Sequence, residues 1–320
     1  MKSVLLRILA IATLLLPAAG ASAGACPGGE AECERAVEVR GSQLHVRIRP
    51  GGPVAVVFEA GSGLGVDSWN AVFDLLRDSG ATLVGYDRAG MGRSDGLDTA
   101  YDVYDEVARL HAALQALGVD RQLVLVGHSY GGYLIHLYAN LYPGDVRGLV
   151  YVDANTVAGI DALGGPGPIA EARIRANDVP DPDKVRKANL RLSRGLVATH
   201  ETLRRYPVVC GVPVVAVSAG AQPEGLDAAK LEGWRDAHRR LAAQAGGEWR
   251  LAEGSGHMIP RDRPDAIASA VADVLARTGD AGARPGRADR PCATGDRGPG
   301  ASGHDAPGPV TNSAGEGKKP

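Results

Sequence analysis

One short stretch constrains the fold of this chain more than any other: Gln122 to Tyr133, with the sequence QLVLVGHSYGGY. Apolar β-formers run up to Gly127, and apolar residues at helical spacing follow Ser129 until Pro143. A serine between a buried strand and a helix must lie where the chain reverses within about one residue. That reversal strains the backbone by roughly 1–3 kcal/mol, so the serine is expected to have a chemical role.

The five residues GHSYG at 127–131 have the spacing of a nucleophile elbow. Glycine two positions on either side of the serine removes the side chains that would collide in so sharp a turn. The turn places the hydroxyl of Ser129 where the Tyr130 amide and the helix dipole face a developing negative charge. A second match around Ser22 has no strand before it and no helix after it. We therefore interpret Ser129 as the catalytic nucleophile and the Tyr130 amide as an oxyanion donor.

The first 23 residues have the features of a secretion signal that is removed on export. A basic start precedes an apolar run from Ile8 to Leu16, and small residues at 21–23 offer a cleavage site. The run is shorter than the ~20 residues that span a bilayer, so no stable membrane span is expected. A lipid-modified Cys26 is a less favoured alternative. The prediction is a secreted or periplasmic protein.

Export changes how the four cysteines are interpreted, because disulfides form in oxidising compartments. Cys26 and Cys33 are close in sequence and are the pair favoured here, whereas Cys210 and Cys292 either pair or stay free. Their spacing does not resemble a metal site, so no metal is predicted. No cysteine follows a strand and opens a helix, which disfavours a cysteine nucleophile.

Composition and charge set the domain organisation and exclude some partners. The 35 basic and 37 acidic residues are mixed along the chain, so no nucleic-acid partner is expected. Residues 24–36 form an N-terminal segment, and residues 37–277 are long enough for one α/β domain. Residues 278–320 have hardly any large apolar side chains, which predicts a disordered tail.

Within the domain, apolar runs alternate with helical patterns. Strands are predicted at 37–39, 44–48, 53–58, 82–86, 123–126, 149–152, 212–217 and 248–252, and helices at 67–78, 101–117, 130–142, 227–245 and 264–277. This rhythm predicts a mostly parallel sheet covered by helices on both faces. In such sheets the reactive groups gather at the carboxyl ends of the strands.

The loops at those strand ends contain the remaining candidate residues. The glycine-rich loop at 59–65 does not fit a nucleotide-binding pattern, and we expect the Ser62 amide to be the second oxyanion donor, with a simple tight turn as the alternative. Asp87 and Arg88 follow the next strand; they either touch the substrate or, as we favour, supply a paired charge that fixes the loop.

Two further strand ends supply an acid and a base. The strand at 149–152 ends in Asp153, and residues 155–207 then depart from the strand–helix rhythm, which predicts a lid. The last strand leads into Glu253-Gly254-Ser255-Gly256-His257, where two glycines present a histidine. His257 is the predicted general base, because His128 lies next to Ser129 and cannot reach its hydroxyl.

Five segments in order, FEAGSG, GYDRAGMGRSD, GHSYGG, LVYVDA and EGSGHMIP, give the chain a resemblance to the α/β-hydrolase fold family of serine hydrolases. The resemblance covers about 37–277. It implies a mostly parallel eight-stranded sheet flanked by helices with a small helical lid, a Ser-acid-His triad, and hydrolysis of an ester or similar acyl bond without a cofactor.

The chain departs from the family pattern at two places. Members often have His-Gly where this chain has Ala60-Gly61, a change that leaves the loop amide in place. Most members also have their acid after the seventh strand, where this chain has Gln222. A minority uses an acid after the sixth strand, the position of Asp153, which we favour over Glu224 or Asp227.

The predicted function is that of an exported serine hydrolase that cleaves a carboxylic ester of a small molecule. A serine nucleophile argues against haloalkane or epoxide chemistry, which needs a carboxylate. A serine aminopeptidase of the proline-iminopeptidase type is an alternative, with Glu171 or Asp178 in the lid binding the substrate amine. A cofactor-free haloperoxidase-like activity and a non-catalytic ligand-binding homologue are further alternatives. The substrate's identity and the oligomeric state stay open.

Overall fold

The computed structural model describes residues 26, 29–221, 227–279 and 292. The predicted leader at 1–23, Gln222 and Glu224 lie outside the described residues. The strands are β1 Cys33–Val39, β2 Ser42–Arg49, β3 Gly52–Glu59, β4 Ala81–Tyr86, β5 Leu123–His128, β6 Val146–Val152, β7 Val214–Ala219 and β8 Glu248–Ala252.

These strands form one sheet in the order β1-β2-β4-β3-β5-β6-β7-β8. The β1–β2 hairpin is antiparallel, β2 is antiparallel to β4, and every other neighbouring pair is parallel. The prediction of a mostly parallel eight-stranded sheet is confirmed. Because the six strands from β3 to β8 run parallel to one another, their carboxyl ends share one edge of the sheet.

The helices are α1 Asn70–Leu75, α2 Val103–Leu117, α3 Gly131–Leu141, α4 Val157–Ala162, α5 Pro166–Asn177, α6 Lys184–Leu203, α7 Ala228–Gln244, α8 Ile259–Asp262 and α9 Pro264–Gly279. Helices α4 to α6 fall between β6 and β7, within the segment for which the sequence predicts a lid. We call residues 157–203 the helical insertion.

The central strands are apolar on both faces, as β5 illustrates. Leu123 and Leu125 pack with residues of α2, α3 and α7 on one side of the sheet. Val124 and Val126 pack with residues of α1 and α9 on the other. All four side chains are completely buried. Two covered faces explain why the sequence of these strands shows no alternation of apolar and polar residues.

The turn between β5 and α3 has the geometry that the GHSYG segment predicts. Ser129 has a φ of +52°, in the left-handed region that non-glycine residues rarely adopt. A β-carbon on Gly127 would lie 2.7 Å from the carbonyl oxygen of Gly131, and one on Gly131 would overlap the carbonyl of Glu59. The two glycines are therefore required for the strand, the helix and the neighbouring loop to meet at the serine.

The bounds of β1 and α9 differ from the prediction. Strand β1 begins at Cys33, inside the predicted N-terminal segment, and α9 continues to Gly279, two residues into the predicted disordered tail at 278–320. The predicted disulfide between Cys26 and Cys33 is confirmed, and a second disulfide joins Cys210 to Cys292. Residues 280–291 and 293–320 of the predicted tail lie outside the described residues. Among the residues that the structure describes, no helix is long and apolar enough to cross a bilayer.

Candidate active site

Three residues from distant parts of the chain meet at the carboxyl edge of the sheet. The Nε2 atom of His257 lies 2.9 Å from the Oγ atom of Ser129, and its Nδ1 atom lies 2.6 Å from Oδ2 of Asp153. Ser129 is 3% exposed, whereas the His257 side chain is 45% exposed. The Ser129 hydroxyl is thus enclosed, whereas the His257 imidazole is exposed on the side from which a substrate can approach.

Asp153 is held by more than the histidine. Its Oδ1 atom accepts hydrogen bonds from the Ala219 amide at 3.1 Å and from Nε1 of Trp234 at 2.9 Å. Burial would raise the pKa of Asp153, but the hydrogen bond and charge of His257, with help from His238 and Trp234, outweigh burial and lower the pKa to about 2. Asp153 is therefore ionised at neutral pH.

The ionised carboxylate fixes the proton on the imidazole. A carboxylate only accepts hydrogen bonds, so Nδ1 of His257 carries the proton that it donates to Asp153. The lone pair of Nε2 then faces the hydroxyl of Ser129. This is the tautomer that a general base needs.

The structure also shows where the competing acid Asp227 lies. Its side chain is exposed and caps α7 by accepting hydrogen bonds from the amides of Ala229 and Lys230. Glu224, the other alternative, lies outside the described residues. Asp153 is the carboxylate that the structure brings to the imidazole.

A second histidine joins the serine turn to the loop of His257. The Nε2 atom of His128 lies 2.8 Å from the backbone oxygen of His257, and the two rings are 4.9 Å apart. Burial, with a contribution from the charge of His257, lowers the pKa of His128 to about 4. His128 is therefore neutral and donates this hydrogen bond from Nε2. Apart from the position of His128 next to Ser129, no sequence pattern indicates this contact.

The glycine-rich loop at 59–65 lies close to the serine turn. A β-carbon on Gly61 would be only 3.3 Å from the β-carbon of Ser129, so the loop that contains Ser62 approaches the serine closely. Within the described part of the chain, neither the Ser62 amide nor the Tyr130 amide donates a hydrogen bond to another protein group. Backbone amides that no described protein group accepts from are the kind of donor that an oxyanion hole requires, so both amides stay candidates for that role.

Arg88 fixes the peptide group that precedes Ser62. Its guanidinium donates hydrogen bonds to Glu59, to the carbonyl of Ala60 and, at 2.6 Å, to the carbonyl of Gly61. Because the peptide bond is planar and trans, a Gly61 carbonyl that faces Arg88 directs the Ser62 amide the opposite way. Arg88 is thus a paired charge, but its partner is Glu59 and the loop that it fixes is the one at 59–65, not the loop after β4 for which the prediction was made.

The Glu59–Arg88 ion pair is completely enclosed. Burial raises the pKa of Glu59, and the charge of Arg88 opposes that increase. The second carboxylate oxygen of Glu59 accepts a hydrogen bond from Tyr86. Asp87 fixes the adjacent loop instead, since its two oxygens accept from the amides of Val66 and Arg93 at 2.8 Å each.

A cavity of about 270 Å³ opens onto the Ser129 hydroxyl. This volume lies just below the usual range for ligand pockets. Its apolar walls come from the helical insertion and from α7, namely Ile160, Leu163, Ile169, Leu231 and Trp234. Arg173 of α5 also lines the cavity and donates a hydrogen bond to the Ser62 hydroxyl at 2.7 Å. Among the described residues, no cluster of three or more histidine, cysteine or acidic side chains is arranged to hold a metal ion.

Comparison with known families agrees with this geometry. A family model described as alpha/beta hydrolase fold matches residues 54–178, from β3 through the serine turn into α5. This match and the eight-stranded sheet show that the chain has the α/β-hydrolase fold. The matched segment includes the turn that holds Ser129.

Similar proteins differ in how much of the chain they match. The uncharacterized protein YqjL of Bacillus subtilis (strain 168) is 28% identical over 253 residues, which are 75% of this chain and 91% of YqjL. Methylesterase 18 of Arabidopsis thaliana is 34% identical over 122 residues, or 37% of this chain and 43% of that protein. A thermophilic esterase from Thermogutta terrifontis has the same fold, with a TM-score of 0.56, 20% identity, and coverage of 77% of this chain and 99% of the esterase.

Proposed function

We propose that this protein is an exported serine hydrolase that cleaves a carboxylic ester of a small molecule. The observation that carries the proposal is the unbroken series of hydrogen bonds from Asp153 through His257 to Ser129. The small cavity at the hydroxyl supports a small substrate. The local similarity to methylesterase 18 supports an ester as the bond that is cleaved.

The first half of the reaction transfers the acyl group to the protein. The Oγ atom of Ser129 attacks the ester carbonyl carbon while Nε2 of His257 takes the hydroxyl proton. The carbonyl oxygen becomes an oxyanion that accepts hydrogen bonds from the Ser62 and Tyr130 amides. Each such donor contributes about 2.7–4 kcal/mol to the stabilisation of the transition state. The carboxylate of Asp153 stabilises the imidazolium that forms.

The second half returns the free enzyme. The imidazolium of His257 gives its proton to the leaving alkoxide, the carbon–oxygen bond to the alcohol breaks, and an acyl-enzyme remains on Ser129. Water then donates a proton to Nε2 and attacks the acyl carbon, and the proton returns to Oγ as the acid departs. One water is consumed, and one acid and one alcohol are formed.

Replacement of the serine tests the proposal. We expect Ser129→Ala to abolish turnover of p-nitrophenyl butyrate and labelling by a fluorophosphonate probe, because both require the Oγ nucleophile. Ser79→Ala is a matched control, since Ser79 is an exposed loop serine before β4. Undiminished hydrolysis by Ser129→Ala would refute the proposal. Binding of a small ester by the wild type, without probe labelling, would favour the non-catalytic ligand-binding alternative.

The aminopeptidase alternative needs an acid to bind the substrate amine. Glu171 and Asp178, the two candidates in the insertion, are both exposed, and neither lines the cavity at Ser129. The charged side chain that the insertion contributes to that cavity is the cation Arg173. A cation repels a substrate ammonium group, so these contacts support the ester hydrolase over an aminopeptidase.

Export remains part of the proposal. The two disulfides support an oxidising compartment, because such bonds are rarely kept in reducing cytoplasm. Expression of the full chain in a bacterial host, followed by fractionation and N-terminal sequencing, tests the prediction of a leader at 1–23. We expect mature protein outside the cytoplasm that begins near residue 24. Full-length protein retained in the cytoplasm would contradict export.

A further inference from the structure

One arginine of the helical insertion, Arg173, lines the cavity at Ser129. Arg173 is half-buried, and its side chain donates one hydrogen bond, to the Ser62 hydroxyl. Among the described residues, no carboxylate lies within ion-pair distance of its guanidinium. By contrast, Arg175 on the same helix is exposed and pairs with Glu171 one turn earlier. The two arginines of α5 thus differ in both burial and pairing.

Within the described part of the chain, no side chain of opposite charge compensates for Arg173. Burial lowers the pKa of this side chain, which means that removal from water disfavours the cation. A guanidinium has five N–H donors, and Ser62 accepts from one of them. A buried cation is normally paired, because an unpaired one loses its hydration without replacement. The donors of Arg173 from which no described residue accepts are therefore available to a ligand in the cavity.

The position of Arg173 sets the distance between such a ligand group and the reacting carbonyl. Bond lengths limit the distance between the amide nitrogen and the Oγ atom of Ser62 to about 4 Å. The Nη1 atom of Arg173 lies 2.7 Å from the Oγ atom of Ser62. Nη1 therefore lies within about 7 Å of the Ser62 amide nitrogen, the predicted oxyanion donor. A group bound to Arg173 is thus separated from the scissile carbonyl by only a few carbon atoms.

The rest of the cavity favours a short aliphatic connection between the two groups. Its walls beside Arg173 are the branched side chains of Ile160, Leu163 and Ile169. A neutral acyl chain would contact these walls but leave the guanidinium unpaired. An acyl chain that ends in a carboxylate fits both the apolar wall and the guanidinium. Its methylene groups contact the wall, and its charge pairs with Arg173.

We propose that Arg173 binds a carboxylate of the substrate, which lies two to four carbons from the scissile carbonyl. The substrate class is then a half-ester of a short dicarboxylic acid, or another ester whose acyl part ends in an acid. This inference rests on the proposed ester hydrolase function and specifies the substrate class of the same site. Arg173 acts on selectivity, whereas Ser129 and His257 carry the chemistry.

Paired substrates that differ only in charge test the inference. Monomethyl glutarate carries the carboxylate, and methyl 5-amino-5-oxopentanoate replaces it with a neutral amide of the same shape; hydrolysis of both is followed by pH-stat. We expect the wild type to prefer the acid in kcat/KM. Because a charge-assisted pair is lost, Arg173→Gln should lower the acid-to-amide ratio about 10- to 100-fold. Arg173→Lys should keep part of the preference, and the matched control Arg175→Gln should keep all of it.

Two results would overturn the inference. If Arg173→Gln lowers the rates of both esters by the same factor, Arg173 supports the Ser62 loop and does not recognise an anion. Glu224 lies outside the described residues, so Glu224→Gln is measured in parallel. The second result is a preference for the acid that appears in Glu224→Gln but not in the wild type. It would mean that Glu224 neutralises Arg173 in the wild type, and the inference would be overturned.

A binding measurement separates this inference from the proposed function. Glutarate is titrated into Ser129→Ala and into Ser129→Ala/Arg173→Gln by calorimetry, where no turnover is needed. We expect at least tenfold weaker binding to the double variant. Binding that depends on Arg173 without hydrolysis of either ester would refute the ester hydrolase and leave the anion site. Hydrolysis with equal binding to both variants would refute the anion site and leave the hydrolase.

Discussion

Replacement of Asp153 by asparagine gives the sharpest test of the proposed base. The Oδ1 atom of Asp153 faces two N–H donors, from Ala219 and Trp234. The carboxamide of Asp153→Asn must keep its oxygen at that position, because an NH₂ group there would oppose both donors. The NH₂ group is then directed at Nδ1 of His257. To accept its hydrogen bond, Nδ1 must lose its proton, and the proton moves to Nε2.

The expected loss follows from this change of tautomer. With a proton on Nε2, His257 donates to the Ser129 hydroxyl and no longer removes its proton. A change of tautomer of this kind lowers kcat about 10⁴-fold in a Ser-His-Asp enzyme, or roughly 5 kcal/mol of transition-state stabilisation. The assay is turnover of p-nitrophenyl butyrate at pH 7 to 8, with far-UV circular dichroism to confirm the fold.

Asp227→Asn is the matched control for this experiment. Asp227 was the other described candidate for the acid, and asparagine caps a helix about as well as aspartate. We expect wild-type kcat from Asp227→Asn. A kcat within tenfold of wild type for Asp153→Asn would refute the assignment of Asp153, and a large loss in Glu224→Gln would transfer the role to Glu224.

Three further predictions concern stability, measured as the free energy of unfolding in urea. Arg88→Met leaves Glu59 as an unpaired buried acid and should cost about 3–5 kcal/mol; a loss below 1 kcal/mol would contradict the structural role of the pair. Replacement of Cys210 and Cys292 by serine opens a loop with a sequence separation of 82 and should cost about 4–5 kcal/mol, less any strain released. Asp153 has its pKa lowered from 3.8 to about 2, so its contribution is complete above about pH 5 and lost as the pH falls through 2. Between about pH 5 and pH 2, the free energy of unfolding of the wild type should fall by about 2 kcal/mol because of this group, and that of Asp153→Asn should not show this loss.

The sequence was sufficient for the parts of the fold that depend on local pattern. The β-branched run of β5, the glycines at 127 and 131, and the apolar spacing of α3 each predict a local conformation, and together they place Ser129. The meeting of Asp153 and His257 was also predictable, because residues that follow parallel strands gather at one edge of the sheet. Their roles in catalysis remain predictions.

Other contacts depend on tertiary packing and leave no local signal. Trp234 donates to Asp153 from a helix that begins after β7, and its spacing in the sequence is that of an ordinary core residue. Arg173 lies in a polar helix, where no periodicity separates it from its exposed neighbour Arg175. The pairing of Cys210 with Cys292 joins residues 82 positions apart, a distance over which sequence spacing has no predictive value.

The helical insertion also has a consequence for how selectivity of this enzyme could be altered. The proposed reacting side chains follow β5, β6 and β8, whereas Arg173 and much of the apolar wall belong to residues 157–203. Under the two proposals, recognition and chemistry are therefore encoded in separate parts of the chain. Transplanting the insertion of a relative onto this scaffold should therefore redirect which acids are accepted, while the proton-transfer groups stay where the sheet anchors them.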